Sequence, residues 1–160
     1  MFTTRIDIPH KDRKALCELL NERLADAIRL RMQAKQAHWN VKGPSFIALH
    51  ELFDAIADDV DEHADTIAER IVALGGQAEG TIAALEKRST LKMYPLGLMT
   101  GQEHVAALAD GIAASGKNIR TAIAWATDLG DAGTADLFTA ISRDLDKRLW
   151  MVEAHLQADS

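Results

Sequence analysis

Apolar residues recur every third or fourth position through most of the chain, a spacing that places them on one face of an α-helix. The first such run follows Pro9 and predicts a helix from about residue 11 to Trp39–Asn40. The segment NVKGPS then interrupts the pattern, and Pro44 suits the first position of a second helix. The apolar positions of the first run are Leu16, Leu19, Leu20, Leu24, Ile28 and Met32.

The second run extends from Phe46 to the pair Gly75–Gly76, a common helix stop. A helix of about 28 residues at 1.5 Å per residue is roughly 42 Å long. A long connection, residues 77–99, follows it, and the segment TIAALEKR predicts one short helix there. The apolar positions of this second run are Leu49, Leu52, Phe53, Ile56, Val60, Ile67 and Val72.

Two further helices complete the pattern. Thr100 and Glu103 have the spacing of a capping box, which predicts a third long helix ending near Thr127. After the break LGDAGT, a fourth covers about Ala132 to Leu156. Four long helices with one long crossover predict an all-α, four-helix bundle of the ferritin-like kind. We expect residues 1–160 to form a single domain, with residues 1–10 as a short N-terminal tail.

The composition favours a soluble intracellular protein. Apolar residues make up 48% and charged residues 26% of the 160 residues, and the net charge is −6. The N-terminal residues lack the apolar segment of a signal peptide, and no stretch is apolar enough to span a membrane. The lone Cys17 fits a reducing compartment, and its leucine neighbours predict a buried thiol. An acidic chain attracts cations and repels nucleic acid phosphate.

The second helix carries the candidate chemistry. Its segment HELFDAIADDVDEHADTIAER is rich in carboxylates, and Asp65 and Glu69 project side by side, one turn apart. Because like charges at this spacing destabilise a helix, we expect a cation between them, either a basic side chain or a metal ion. His38 and His50 flank the break between the first two helices, and their imidazoles converge if those helices run antiparallel.

Distance along the helix decides whether these groups can share one ion. His50 and Asp65 are separated by roughly 22 Å of helix, whereas a metal lies about 2 Å from each ligand. The sequence therefore predicts two half-sites or a site that a second chain completes. If two copies pair their second helices antiparallel about a two-fold axis near Asp58–Asp59, His50 of one lies level with Asp65–Glu69 of the other.

Ordinary structural roles for these residues are the alternative to a metal site. Acidic residues on a helix usually form a solvated face, and a histidine at a helix end is usually a capping or surface group. An intrachain di-iron site is disfavoured, because such bundles carry Glu-x-x-His motifs and this sequence has none. The mixed imidazole and carboxylate set suits divalent iron, and Zn²⁺ fits the same ligands.

The same residues carry a family resemblance. The chain resembles the Dps proteins (DNA-binding proteins from starved cells) over about residues 12–157, in the segments KQAHWNVKGPSFIALHELFD, DTIAERIVALGG, LKMYP and GTADLFTAISRDLDKRLWMVEAHL. The resemblance implies a ferroxidase site that takes His38 and His50 from one subunit and Asp65 and Glu69 from its two-fold mate. It also implies a hollow dodecamer in the bacterial cytoplasm or nucleoid. This shell would oxidise Fe(II), preferably with hydrogen peroxide, store ferric mineral and protect against oxidative stress.

Three residues near the histidines have weaker assignments. Asp54, one turn after His50, is placed to orient an imidazole or a bound water, and Lys35 is placed to neutralise Asp54. The alternative is that Asp54 and Lys35 are ordinary surface charges. Trp39 resembles the family's tryptophan beside the site, a role compatible with packing at an interface.

Acidic residues around the start of the fourth helix are candidates for a pore. Copies of Asp128, Asp131 and Asp136 meeting at a symmetry axis of a cage would focus cations and admit iron. The resemblance favours Asp136 most. Capping the fourth helix is the alternative role of Asp131.

Other charged residues are assigned to structure. The segment SRDLDKRLW predicts ion pairs between subunits, formed by Arg143, Asp144, Asp146 and Lys147. Three more histidines have no matching partner set in the sequence, and we expect them to be surface or packing residues: His63, His104 and His155.

Three other functions stay open at this point. Many Dps proteins compact DNA with a lysine-rich terminal arm, but residues 1–14 carry four basic and two acidic residues, a net charge of only +2. With an acidic chain behind that tail, we expect DNA binding to be weak or absent. A purely structural bundle would take up no metal, and a ferritin that uses O₂ instead of peroxide would need the same ligands.

Overall fold

The computed structural model describes residues 1–157, and in that part of the chain the regular elements are five helices without a strand. The long helices are α1 (His10–Asn40), α2 (Phe46–Ala73), α4 (Gly101–Asp128) and α5 (Ala132–Glu153), and the short α3 (Ile82–Arg88) lies between α2 and α4. This order confirms the predicted all-α bundle with one long crossover. No helix in residues 1–157 combines the length and the apolar character that a membrane crossing needs.

The core lies where two helical hairpins meet. α1 packs along α2, α4 packs along α5, and α1 also contacts α4. The apolar stripes of the four long helices face inward, so that Leu16, Phe53, Leu108 and Phe138 are each completely buried. Burial of one such side chain contributes about 1.5–3 kcal/mol, so the helix-period pattern accounts for the fold.

Glycine ends α2 through a left-handed residue. Gly75 has φ +85°, and the N–H of Gly76 donates to the carbonyl of Ile71 at 2.8 Å, which closes the last turn. The carbonyl of Gly75 accepts the N–H of Phe2 at 2.7 Å. A Cβ atom at Gly75 would lie 2.5 Å from the carbonyl oxygen of Phe2, so only glycine fits here. The N-terminal tail is thereby attached to the end of α2.

The predicted end of the fourth helix was three residues too late. Regular helix in α5 stops at Glu153, and the following residues form turns. The apolar Leu156 suggested a longer helix, but its side chain is 43% exposed and contributes little to the core. The other three long helices begin and end close to their predicted limits, and the predicted capping box of Thr100 and Glu103 is present.

The crossover is held against α1 by polar side chains. Asp26 is 1% exposed and accepts hydrogen bonds from the Ser89 hydroxyl, the Thr90 N–H and the Asn118 amide. Further along α1, the Gln33 amide donates to the carbonyl of Lys92 at 2.8 Å. These contacts fix residues 89–94 along the second half of α1, beside the end of the bundle where α1 turns into α2.

Candidate metal centre

Two imidazoles meet at the α1–α2 turn. The connection of residues 41–45 is short, so α2 folds back antiparallel along α1. His38, near the end of α1, and His50, in the second turn of α2, stack with their ring centroids 3.8 Å apart and their planes at 23°. The imidazoles therefore converge as the antiparallel arrangement predicts.

Reciprocal hydrogen bonds fix both rings. Nδ1 of His38 lies 2.8 Å from the carbonyl oxygen of His50, and Nδ1 of His50 lies 2.9 Å from the carbonyl oxygen of His38. A carbonyl can only accept, so each Nδ1 carries the proton and donates it. In the neutral imidazole this leaves Nε2 with a free lone pair, the form that binds a metal. The pair thus presents two preset nitrogen ligands.

A charged pair lies beside the rings. Lys35 Nζ is 2.5 Å from Oδ1 of Asp54, and the same oxygen is 3.8 Å from Nε2 of His38. The hydrogen bond from Lys35 lowers the pKa of the Asp54 carboxyl below its ordinary value. Lys35 Nζ also lies 5.9 Å from the centre of the Trp39 ring, whose side chain is 61% exposed. Lys35 therefore neutralises Asp54, as predicted, and keeps a carboxylate close to His38 Nε2.

The two predicted acidic ligands lie on a different part of α2. Asp65 and Glu69 are both exposed, one helical turn apart, and neither has a hydrogen-bond or ion-pair partner within residues 1–157. Helix α2 is continuous from Phe46 to Ala73, so roughly 22 Å of helix separates His50 from Asp65. Within residues 1–157, no basic side chain of the same chain lies between the two carboxylates as the expected cation.

A single chain accordingly offers parts of a site. Among residues 1–157, no group of three or more His, Cys, Asp or Glu side chains comes close enough together to hold a metal ion. The structure places the two histidines in one pair and the two carboxylates in another. Because α2 holds the two pairs too far apart, they can bind one ion together only if the carboxylates come from another copy of the chain.

The surface around both half-sites is suited to contact with another subunit. Large apolar side chains are exposed near the imidazoles: Met32 by 47%, Trp39 by 61%, Phe46 by 41% and Ile47 by 60%. Beside Asp65 lies a depression of about 460 Å³ with small residues in its wall, including Ala64, Ala68, Ala78 and Gly80. Clusters of exposed large apolar side chains, such as those near the imidazoles, are typical of a protein–protein contact surface.

Comparison with known proteins agrees with this architecture. Residues 17–160 match the family model described as the ferritin-like domain. The chain is 46% identical over 157 residues to the "DNA protection during starvation protein" of Agrobacterium fabrum, covering 98% of this chain and 97% of that protein. This chain belongs to the Dps proteins of the ferritin-like family.

Solved Dps structures have the same fold. Dps of Mycobacterium smegmatis in its tetragonal form superposes with a TM-score of 0.93 at 34% identity, covering 98% of this chain and 96% of that one. The Dps protein of Vibrio cholerae O1 superposes with a TM-score of 0.90 at 28% identity, covering 98% of both chains. That protein is described as a member of a broad superfamily of ferritin-like diiron-carboxylate proteins.

The three predicted pore residues of this Dps chain differ in their surroundings. Asp128 and Asp136 are exposed, whereas Asp131 is only 3% exposed. Asp131 caps α5 by accepting the N–H of Thr134, and both of its oxygens accept Arg70 Nη2 at 2.9 Å. Burial alone would raise the pKa of Asp131, but the hydrogen bonds from Thr134 and Arg70 outweigh it and hold the pKa below 3.8. The alternative role of Asp131, capping, is therefore the one observed.

The structure contains an acidic groove between α2 and α5 that the sequence did not predict. It has a volume of about 570 Å³, and four carboxylates contribute to its walls, from Asp59, Glu62, Asp136 and Asp144. Two basic side chains, Lys147 and Arg148, also line it, and Arg148 pairs with Asp59 at 2.6 Å, so the acids outnumber the bases by two. These residues come from helices far apart in sequence, so only the packing of α2 against α5 brings them together. His63 lies in the same groove, with Nε2 3.3 Å from Asp144.

The expected ion pairs between subunits need correction for two residues. Asp144 contacts His63 of its own chain, and Asp146 pairs with Arg120 of its own chain at 2.9 Å. Arg120 lies on α4 and was not predicted, because α4 and α5 must pack before the two charges meet. The prediction of packing for His104 is right in that its side chain is buried, but its partner, Tyr94, was missed.

Proposed function

We propose that this Dps chain oxidises Fe(II) at sites between two-fold related subunits and stores the ferric product inside a hollow dodecamer. The observation that carries this proposal is the reciprocal hydrogen bonding of His38 and His50, which leaves both Nε2 atoms free at one end of α2. The unpartnered Asp65 and Glu69, further along the same helix, supply the complementary half.

The donor set fits iron as a substrate. Two neutral imidazole nitrogens and two carboxylates bind divalent iron well, and they leave coordination positions open for an oxidant. Zn²⁺ fits the same four ligands, so it should compete with iron. Asp54, held ionised by Lys35, is close enough to His38 Nε2 to add a carboxylate oxygen or to orient a bound water.

A two-fold axis near Asp58–Asp59 would complete the site. With two copies of α2 antiparallel about this point, His50 of one subunit lies level with Asp65 and Glu69 of the other, and the contact repeats to give two equivalent sites per dimer. Hydrogen peroxide accepts two electrons when its O–O bond breaks. Two Fe(II) ions supply them, which yields two Fe(III) ions and two hydroxide ions without releasing a hydroxyl radical.

The charge distribution suits the uptake of cations into a shell. Asp128 and Asp136 are exposed near the start of α5, and Asp136 opens onto the acidic groove between α2 and α5. Rows of carboxylates attract Fe(II) and raise its local concentration. In a dodecamer these residues would lead iron from a pore to the inner surface, where the groove would hold it.

Mixing two inactive variants tests whether the site is shared. We expect His38→Ala/His50→Ala and Asp65→Ala/Glu69→Ala each to lose peroxide-dependent Fe(II) oxidation. When the two variants are unfolded and reassembled together in equal amounts, half of the dimers are mixed, and each mixed dimer has one intact site. Activity should therefore return to about a quarter of the wild-type value.

The outcome of mixing separates the alternatives. A site within one chain would stay inactive in the mixture, because neither variant has all four ligands. Wild type unfolded and reassembled in the same way is the matched control for damage caused by unfolding. If Asp65→Ala/Glu69→Ala alone oxidises iron as fast as wild type, the four-ligand site is wrong. A mass well below that of twelve 17.5 kDa chains would contradict the shell.

DNA binding is the second candidate, because the curated relatives are named for DNA protection. The net charge of −6 and the short tail, with a net charge of +2, argue against a strong phosphate-binding surface. A gel shift with duplex DNA at increasing salt tests it. Binding that persists at low salt and weakens steeply as salt rises would support direct phosphate contacts, and no shift at low salt would exclude them.

A further inference from the structure

A half-buried tyrosine and a buried histidine form a pair where the crossover meets α4. The hydroxyl oxygen of Tyr94 is 2.7 Å from Nδ1 of His104, and the two rings are nearly parallel with centroids 6.1 Å apart. His104 is 2% exposed, and its Nε2 is buried with no hydrogen-bond partner in residues 1–157. A buried polar atom left in this way costs about 1–3 kcal/mol, so the pair is not explained by stability.

The proton of the pair resides on the phenol in the resting state. Burial raises the pKa of Tyr94 well above its ordinary value and lowers the pKa of His104, so both groups are neutral near pH 7. The Tyr94 hydroxyl has no other partner within residues 1–157, and a neutral imidazole nitrogen is a good acceptor. Tyr94 therefore donates its O–H to Nδ1 of His104.

The pair lies at the same end of the bundle as the imidazoles of the proposed iron site. A Cβ at Gly101 would lie 3.3 Å from the carbonyl of Lys42, and one at Gly111 would contact Gln33, so α4 runs antiparallel to α1. In this register His104, one turn after Gly101, is level with the last turns of α1, which carry His38. Because α4 packs directly against α1, the pair lies on the helix next to the one that carries His38. Electrons can pass between groups on neighbouring packed helices.

We infer that Tyr94, hydrogen-bonded to His104, is a reversible one-electron donor that completes the reduction of peroxide when only one Fe(II) is bound. This inference rests on the proposed iron oxidation at His38, His50, Asp65 and Glu69. The electron from Tyr94 would prevent the escape of a hydroxyl radical, which the reaction of a single Fe(II) with peroxide would otherwise release.

The electrons and protons balance in two steps. In the first, Fe(II) and Tyr94 each supply one electron to hydrogen peroxide, whose O–O bond breaks to give two hydroxide ions. The O–H bond of Tyr94 breaks at the same time, and its proton forms an N–H bond at Nδ1 of His104. In the second, another Fe(II) returns one electron to the tyrosyl radical and His104 returns the proton, so that two Fe(II) have been oxidised per peroxide.

His104 makes this step accessible. An oxidised phenol is a very strong acid, so it passes its proton to His104 even though burial weakens the imidazole as a base. The proton moves only across an existing 2.7 Å hydrogen bond. The carboxylate of Glu103, the neighbouring residue on α4, favours the resulting imidazolium. Without a hydrogen-bonded acceptor, the half-buried phenol would have to lose its electron while keeping its proton, which would leave a partly desolvated cation.

A tyrosyl signal from this chain can be assigned to one residue, because Tyr94 is its only tyrosine. Assembled protein with less than one Fe(II) per site is mixed with hydrogen peroxide, freeze-quenched and examined by electron paramagnetic resonance. We expect a tyrosyl signal in wild type. In His104→Gln the signal should be at least ~10-fold weaker, since a positioned proton acceptor contributes ~10²-fold or more to rate. Tyr94→Phe should release more hydroxyl radical to a spin trap.

Controls separate this inference from the proposed function. His10→Gln, at an exposed histidine that begins α1 at the opposite end of the bundle, should keep the full tyrosyl signal. Wild type that oxidises Fe(II) but forms no tyrosyl radical would overturn the inference and leave the iron site intact. Equal signals in wild type and His104→Gln would also overturn it. Urea unfolding of each variant shows whether a lost signal comes from lost structure.

A measurement without iron addresses the pair directly. Flash-generated ruthenium(III) tris(bipyridine) removes one electron from a phenol, and the tyrosyl absorbance reports the rate. We expect oxidation of Tyr94 to be at least ~10-fold slower in His104→Gln than in wild type or His10→Gln. If iron oxidation fails but this difference remains, the proposed function is wrong and the pair is still an electron donor. If the rates are equal, the pair is not.

Discussion

Arg70 and Asp131 form an ion pair that joins the end of α2 to the start of α5. Nη2 of Arg70 is 2.9 Å from each carboxylate oxygen, and its Nε donates to the Thr134 hydroxyl at 3.0 Å. The Asp131 side chain is 3% exposed and the Arg70 side chain 24% exposed. Because Glu69 precedes Arg70 in α2, this pair positions the helix that carries the proposed acidic ligands.

Replacement of Asp131 by asparagine should destabilise the protein by about 2–3 kcal/mol, since it leaves a largely buried guanidinium without its counterion and weakens the helix cap. Urea unfolding at fixed protein concentration measures this change. The exposed Asp128, one turn of chain away, is the matched control. Asp128→Asn should change stability by less than about 0.5 kcal/mol. Equal stability of the two variants would contradict the structural role of Asp131.

The same pair predicts a pH dependence. The folded pKa of Asp131 is below the ordinary 3.8, so the ionised carboxylate stabilises the fold fully above that value. The contribution disappears as pH falls through 3.8 toward the folded pKa. The stability difference between wild type and Asp131→Asn should therefore be constant above about pH 5 and shrink by about pH 3. If the stability difference between the two proteins grows toward acid pH, the pKa of Asp131 is raised in the folded state and not lowered.

Asp136 is a candidate for the iron-entry pore, whereas Asp131 serves as a helix cap. Asp136 is exposed and has no hydrogen bond or ion pair within residues 1–157, so Asp136→Asn should leave stability within about 0.5 kcal/mol of wild type. If it attracts iron, the same change should slow Fe(II) uptake, and the effect should be larger at low ionic strength. Stopped-flow oxidation at two salt concentrations measures this. Unchanged rates at low salt would remove Asp136 from the pore.

His50 should contribute an iron ligand and little to folding. In His50→Ala, the backbone carbonyl at position 50 still accepts Nδ1–H of His38, so His38 keeps its tautomer and only one nitrogen ligand is lost. Affinity for Co²⁺, a spectroscopic substitute for Fe(II), should fall at least ~10-fold. His155→Ala removes another partly exposed histidine and should bind Co²⁺ as wild type does. Unchanged affinity in His50→Ala would exclude it as a ligand.

Helical periodicity was enough to predict the fold, because the helices here end at strong local signals. Gly75 and the capping box of Thr100 and Glu103 act within a few residues of the chain, so the sequence shows them directly. After Glu153 there is no glycine or proline to end α5, and the predicted end was displaced toward the exposed Leu156. A helix end can therefore be predicted from sequence where a glycine or a capping box marks it, and not where such a signal is missing.

The site was predictable only in part. The convergence of His38 and His50 follows from a short turn between antiparallel helices, but their reciprocal hydrogen bonds depend on side-chain rotamers that no spacing rule gives. Tyr94 and His104 are separated by an irregular loop whose path has no period. Contacts between residues distant in sequence, such as those lining the acidic groove, require the packed bundle before any of them can be recognised.

The buried Asp26 should hold the crossover in place. It accepts hydrogen bonds from Ser89, Thr90 and Asn118, and it lies 3.3 Å from Arg23, so Asp26→Ala leaves several buried donors without a partner. We expect a loss of about 3–4 kcal/mol of stability and faster amide hydrogen exchange in residues 89–94. The other hydrogen bonds from α1 to this segment, from Arg29 to Leu91 and from Gln33 to Lys92, cannot replace the three that are lost. The exposed Asp110 on α4 provides a control, and Asp110→Ala should exchange as wild type does. If exchange in residues 89–94 stays slow in Asp26→Ala, the crossover is held by its apolar contacts instead.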